Sequence, residues 1–128
     1  MSIFISRDSL VNSLREIFDR FPGKPILIHS DILKIGIIDK MKPRDEICAD
    51  YKNVLVETSD ARPLLFPTFN YDYCGIGLYD RQKSPGQVGA LSDYMREKHP
   101  DIRTRTPIFN FCILNNDGAG NFTTTYPF

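Results

Sequence analysis

Residues 25–33 read Pro25-Ile26-Leu27-Ile28-His29-Ser30-Asp31-Ile32-Leu33, and the fold turns on them. The first part is a short apolar run of the kind a buried parallel strand shows. Ser30 and Asp31 follow at once, and both residue types cap helices, here one beginning at Ile32. The stretch reads as strand, polar turn, short helix. In open α/β sheets, ligands bind where such strands end.

Working outward, the preceding residues are helical. Leu10, Val11, Leu14, Ile17, Phe18 and Phe21 recur at the spacing of one helix face. Ser6 suits the N-cap, Asp8 suits the first turn, and Pro22-Gly23 stops the helix. On the other side, Pro43 suits the first turn of a second helix, with Ile47, Tyr51, Val54, Leu55 and Thr58 on one face. Pro63-Leu64-Leu65-Phe66 is a second buried-strand candidate, and residues 67–72 leave its end. Residues 73–88 show no periodicity and contain three glycines, a loop long enough to suggest function. Gly89 to Lys98 is helical with Leu91, Tyr94 and Met95 inward. Pro107 to Leu114 has the composition of a central strand, and residues 115–128 are rich in glycine, asparagine and threonine.

Helices between apolar strands predict an α/β fold: a layered α/β/α sandwich on a mostly parallel or mixed sheet. At 128 residues the chain suits one domain, 1–128. Three strands make a thin sheet with open edges, which proteins avoid, so the sandwich is expected to be incomplete here. Hydrophobic residues make up 41% and charged ones 25%, an ordinary globular composition. Sixteen basic residues balance sixteen acidic ones, so no net field recruits nucleic acid or an anionic membrane. No apolar run approaches the roughly 20 residues of a membrane span. No secretory signal is visible, so the cytoplasm is the expected compartment. Cys48, Cys74 and Cys112 are scattered and, with only His29 and His99 beside them, suggest neither a disulfide framework nor a metal site.

Three polar segments hang on the ends of the expected strands: residues 28–33, 67–72 and 84–91. Singly, each has a bland reading as a helix cap, a packing aromatic run or a turn. Their order is more specific. Ile28-His29-Ser30-Asp31-Ile32-Leu33 is followed by Phe66-Pro67-Thr68-Phe69-Asn70-Tyr71. Then comes Tyr79-Asp80, with Ser84-Pro85-Gly86-Gln87-Val88-Gly89-Ala90-Leu91-Ser92-Asp93 four residues on, and last Arg103-Thr104-Arg105-Thr106-Pro107-Ile108-Phe109-Asn110-Phe111.

This series resembles the aminoglycoside 3-N-acetyltransferase family. Its members carry V-H-S-S-L, M-P-T-F-T-Y, F-D-x-x-x-T-P-S-x-M-G-A-L-x-E and R-S-x-H-P-T-H-S-F in the same order. The resemblance covers nearly the whole chain and matches the amino-terminal half of such a domain. It implies an α/β enzyme that moves acetyl from acetyl-CoA to the amine of an aminoglycoside or a nucleotide-linked aminodeoxysugar. It implies that His29, Ser30, Asp31, Ser84, Val88 and Gly89 line the acetyl-CoA site. Asn70, Tyr71 and Asp72 would face the acceptor.

Amine acetylation needs a general base and donors for the oxyanion. The family's two histidines in H-P-T-H-S fall on Thr106 and Phe109 here, and Phe109 cannot accept a proton. The base then comes from elsewhere, such as the absent carboxyl half; or catalysis is lost; or His29 substitutes, although a lone histidine after a strand is more often structural. Two other classes of function compete: a non-catalytic binder of CoA or sugar, and a module whose open sheet edge pairs with a second copy or with the missing half. Residues 124–128 resemble a family segment cut short.

Overall fold

A computed structural model describes residues 3–115. Residues 116–128 lie outside the described part, and with them the segment at 124–128. The chain is mixed α/β. It opens with β1 (Phe4–Ile5) and α1 (Arg7–Phe18), followed by β2 (Ile26–Leu27), the single turn α2 (Ile32–Ile35) and β3 (Ile37–Ile38). Next come α3 (Arg44–Thr58), β4 (Leu64–Pro67), α4 (Tyr73–Ile76), α5 (Ala90–Lys98), a 3-10 turn at Pro100–Ile102 and β5 (Phe111–Leu114).

Local chemistry sets these elements. The Ser6 hydroxyl accepts from the Ser9 amide at 3.3 Å and caps α1. The helix closes at Phe18 rather than Phe21, which turns out to solvent beside Pro22 and Gly23. Pro43 stands at the start of α3, which buries Ile47, Cys48, Tyr51, Val54, Leu55 and Thr58. The Tyr51 hydroxyl donates to the Gly36 carbonyl at 2.5 Å, fixing the turn between α2 and β3 to that helix. Asp31 stands at the N-cap of α2, but its carboxylate caps nothing and pairs with Lys34 at 3.7 Å.

The strands form two sheets. β1 and β3 pair in parallel, a small sheet the sequence pattern does not reveal. In the larger sheet the order is β2-β4-β5, with β2 parallel and β5 antiparallel to β4. β4 is therefore central among the described strands, and the expectation of a central strand at 107–114 is corrected. Only Phe111–Leu114 is strand, because Ile108 takes a left-handed φ of +64° that breaks the extended run. The outer side of β5 is held by Thr104, whose amide donates to the Phe111 carbonyl at 2.8 Å. Leu64, Phe66, Val54, Leu91, Met95 and Cys112 form the centre of the core. Among the described residues no helix is long and apolar enough to cross a membrane.

Candidate functional site

β2 and β4 run in the same direction, so their carboxyl ends share one edge of the sheet. β5 runs the opposite way and brings its amino end there, with Pro67 opposite Phe111. Residues 28–31, 68–72 and 106–110 thus converge on that edge. The pairing continues past β4: the Thr68 amide donates to the Asn110 carbonyl (2.9 Å) and the Asn70 amide to the Ile108 carbonyl (3.0 Å).

The loop before α5 lies across two adjacent strand ends. At Gly86 the backbone passes Thr68, whose Cα would stand 3.5 Å from an added Cβ. Three residues later, Gly89 abuts the Ser30 carbonyl oxygen, 3.0 Å from the place of a Cβ. Between them opens a cavity of about 510 Å³, lined by His29, Ser30, Asp31, Leu33, Val88, Gly89 and Ala90. Ala90 begins α5, so the unpaired amides of a nine-residue helix face this region. Of the residues the resemblance assigns to acetyl-CoA, His29, Ser30, Asp31, Val88 and Gly89 are brought together here. Ser84 is not: its hydroxyl accepts from the Asp80 amide at 2.9 Å, and its carbonyl accepts from Arg103. His29 is exposed, and no hydrogen bond among the described residues engages its ring.

Arg103 fixes the loop to the sheet. It is 1% exposed, and no carboxylate among the described residues lies within ion-pair distance of it. Carbonyls and polar side chains take the charge instead. Nη2 donates to the Thr68 carbonyl at 2.8 Å, and Nη1 donates to the carbonyls of Arg81 (3.2 Å) and Ser84. Nε donates to Asn110 Oδ1 at 2.8 Å and Thr68 Oγ1 at 3.2 Å. The Tyr79 ring lies over the guanidinium at 5.1 Å, and the Tyr79 hydroxyl donates to the Thr104 carbonyl at 2.7 Å. Burial pushes the Tyr79 phenol up to about 12, against the opposing pull of Arg103, and burial lowers the Arg103 pKa. Sequence reasoning gave Arg103 no role. Its one signal was its place at the head of the last matched segment.

The residues assigned to the acceptor separate. Asn70 is buried: Nδ2 donates to the Pro85 carbonyl at 2.8 Å and Oδ1 accepts from the Tyr73 amide at 3.3 Å. Tyr71 and Asp72 are exposed at the sheet edge. Gln87, which sequence reasoning left without a role of its own, holds both. Its Oε1 accepts from the Tyr71 amide at 2.6 Å and its Nε2 donates to Asp72 Oδ1 at 3.1 Å. Across the edge, the Thr106 hydroxyl donates to the Phe109 carbonyl at 3.0 Å. The Phe109 ring is exposed and meets Phe69 edge-on, with centroids 5.3 Å apart.

No protein-family model matches the sequence, and no curated protein matches it. Solved structures do share the fold. The crystal structure of the YokD protein from Bacillus subtilis aligns with a TM-score of 0.63 at 15% identity, over 85% of this chain and 49% of that one. The apoenzyme structure of aminoglycoside acetyltransferase AAC(3)-IVa aligns with a TM-score of 0.64 at 20% identity, over 89% of this chain and 42% of that one. The chain therefore spans less than half the length of either. At these identities the likeness establishes a shared fold.

Proposed function

We propose that this chain carries the acyl-donor side of an acetyl-CoA-dependent N-acetyltransferase, with the amine of an amino sugar as acceptor. The observation that carries this reading is the contact of Gly89 with the Ser30 carbonyl, which closes two distant segments into one cavity at the start of α5. The shared fold with an aminoglycoside acetyltransferase supports it.

The cavity suits the pantetheine and thioester end of such a donor. Its wall mixes peptide groups with the apolar side chains of Leu33, Val88 and Ala90, which matches a ligand of alternating amides and methylenes. Amides at a helix start favour partial negative charge. When bound, acetyl-CoA supplies the activated acyl group. The chain's own residues hold it, with Gly89 allowing close backbone approach and Ser30 offering its hydroxyl. Asp72, kept in place by Gln87, offers an anionic partner for the acceptor's ammonium. Neither Thr106 nor Phe109 can remove a proton from that ammonium. The candidates for the base are therefore His29, on the cavity wall, and a group outside the described residues; with neither in reach of the amine, catalysis is lost.

A second reading, an interaction module, is favoured by the open edge of β2, where Leu27 is 60% exposed. Calorimetric titration with acetyl-CoA separates the two. Weak, saturable binding to the wild-type chain, lost in Ser30→Leu, is the expected result. The same null signal from both proteins at millimolar acetyl-CoA overturns the donor-site assignment.

A further inference from the structure

We infer that the ring of Phe109 is a stacking platform for the pyranose ring of the acceptor, an inference that rests on the amino-sugar reading above. Phe109 is 53% exposed although it sits on a sheet edge beside a packed core. An aromatic side chain normally gains by burial. Here the backbone turns it out.

That turn is strained. Ile108, the residue before it, is β-branched and has a φ of +64°, a conformation such residues avoid and which clusters where strain serves a function. The strained peptide is held on both sides. The Ile108 carbonyl accepts from the Asn70 amide, and the Phe109 amide donates to the Pro107 carbonyl at 2.8 Å. The ring itself is braced: it meets Phe69 at an interplanar angle of 87°, and Phe69 meets Phe111 at 87° with centroids 5.2 Å apart. The outcome is an aromatic ring braced by its neighbours and half exposed to solvent, and a side chain already held in place binds at low entropic cost.

Its chemistry selects the ligand. Phenylalanine has no donor or acceptor, so the ring offers only its negative π face. A pyranose presents a face of C–H groups with partial positive charge, and an amino sugar adds an ammonium that the same face attracts. Asp72 lies on the neighbouring strand end and supplies the opposite charge. β2, β4 and β5 are adjacent, so the Phe109 edge and the His29 edge are two strand spacings apart, about 10 Å. That separation lets an acceptor lie on the β5 side while its amine reaches toward the Ser30 cavity.

The test measures affinity for kanamycin, for a UDP-linked aminodeoxysugar and for UMP, by calorimetry on the full chain with acetyl-CoA titrated in parallel. Phe109→Leu keeps apolar volume but removes the π face, and should weaken both amino sugars about tenfold. Phe109→Tyr keeps the face and should stay within about twofold of wild type. Ile108→Gly relieves the strain and frees the ring, and should weaken the sugars without lowering the melting temperature. Acetyl-CoA affinity should be the same in all three. Equal sugar affinity in wild type and Phe109→Leu overturns the platform. So does the absence of sugar binding to a wild-type chain that binds acetyl-CoA, or UMP binding as tightly as the nucleotide sugar. Loss of acetyl-CoA binding in the wild type overturns the donor-site reading instead.

Discussion

The Ser30 carbonyl oxygen stands 3.0 Å from where a Cβ on Gly89 would be, and Gly89 has a φ of +134°. Both facts exclude a side chain at 89. An alanine there would carry backbone strain of about 1–3 kcal/mol and push the loop off the end of β2. Gly89→Ala should therefore lower the urea midpoint and also weaken acetyl-CoA binding, since the same contact forms the cavity wall. A variant with the midpoint and the binding isotherm of wild type would show that the contact constrains neither.

Arg103 gives a larger effect of a different kind. Replacing it by methionine keeps a long buried chain but leaves the Thr68 carbonyl and the loop carbonyls of Arg81 and Ser84 without this donor, while Asn110 Oδ1 retains only the Thr68 hydroxyl. An orphaned buried acceptor costs about 1–3 kcal/mol, and the loop carbonyls can recover part of this from water. Arg103→Met should lose about 3–5 kcal/mol in urea unfolding. Arg103→Lys should lose nearly as much, because an ammonium cannot span carbonyls on two sides as the planar fork does. A loss below about 1 kcal/mol for both variants contradicts the central role given to this side chain.

The two predictions draw on features of unequal visibility in the sequence. The helix faces at Ile47, Tyr51, Val54 and Leu55 and at Leu91, Tyr94 and Met95 were legible, because apolar residues recurring over several successive turns identify a buried stripe. β1 and β3 were not, since two-residue strands carry no period. The 73–88 segment read as irregular because its order comes from side-chain bonds to backbone. Asp80 Oδ1 accepts from the amides of Gln82 (2.8 Å) and Lys83 (3.1 Å), which also hold its carboxyl below the usual range. That residues 28–31 and 67–72 leave strand ends on one edge was legible from the apolar runs before them; the side chains that tie the segments together there, Arg103 and Gln87, were not. Long polar side chains carry no pattern that tells a buried clamp from a solvated surface.

His99 makes stability depend on pH. It stands at the end of α5, where burial lowers its pKa, Lys52 lowers it further and Asp101 opposes. The folded chain therefore favours the neutral ring, and the unfolded chain takes up a proton first, near its ordinary value of about 6.5. This contribution is fully present above about pH 6.5 and is lost as pH falls through the folded value. Urea midpoints taken from about pH 7.5 down to about 5.5 should fall in wild type and fall less in His99→Gln. Parallel slopes for the two proteins would assign the pH dependence elsewhere.

The last prediction concerns the edge of β2. The amides of Ile26 and Ile28 donate to the Pro63 and Leu65 carbonyls at 2.8 and 2.9 Å, so alternation points the Leu27 amide away from β4. No strand pairs with that side among the described residues. The surface beside it is apolar: Ile17, Phe18, Phe21, Pro25, Ile26 and Leu27, with Lys24 and Arg62, line a cleft of about 360 Å³. An open edge flanked by exposed apolar side chains is a template for strand pairing, and proteins that remain monomeric protect such edges. The one cation within the apolar cleft that is buried, Arg62, is already committed to the carbonyls of Phe18, Phe21 and Ser59, so it does not guard the edge. We therefore expect the chain to associate through β2, with a second copy when no other strand is supplied. Sedimentation velocity should show the weight-average coefficient rising with concentration. Leu27→Lys places a charge on the edge without touching the core and should hold the chain monomeric with its melting temperature little changed. A wild-type chain that sediments as a folded monomer at every concentration would mean that the edge is not an interface for this chain.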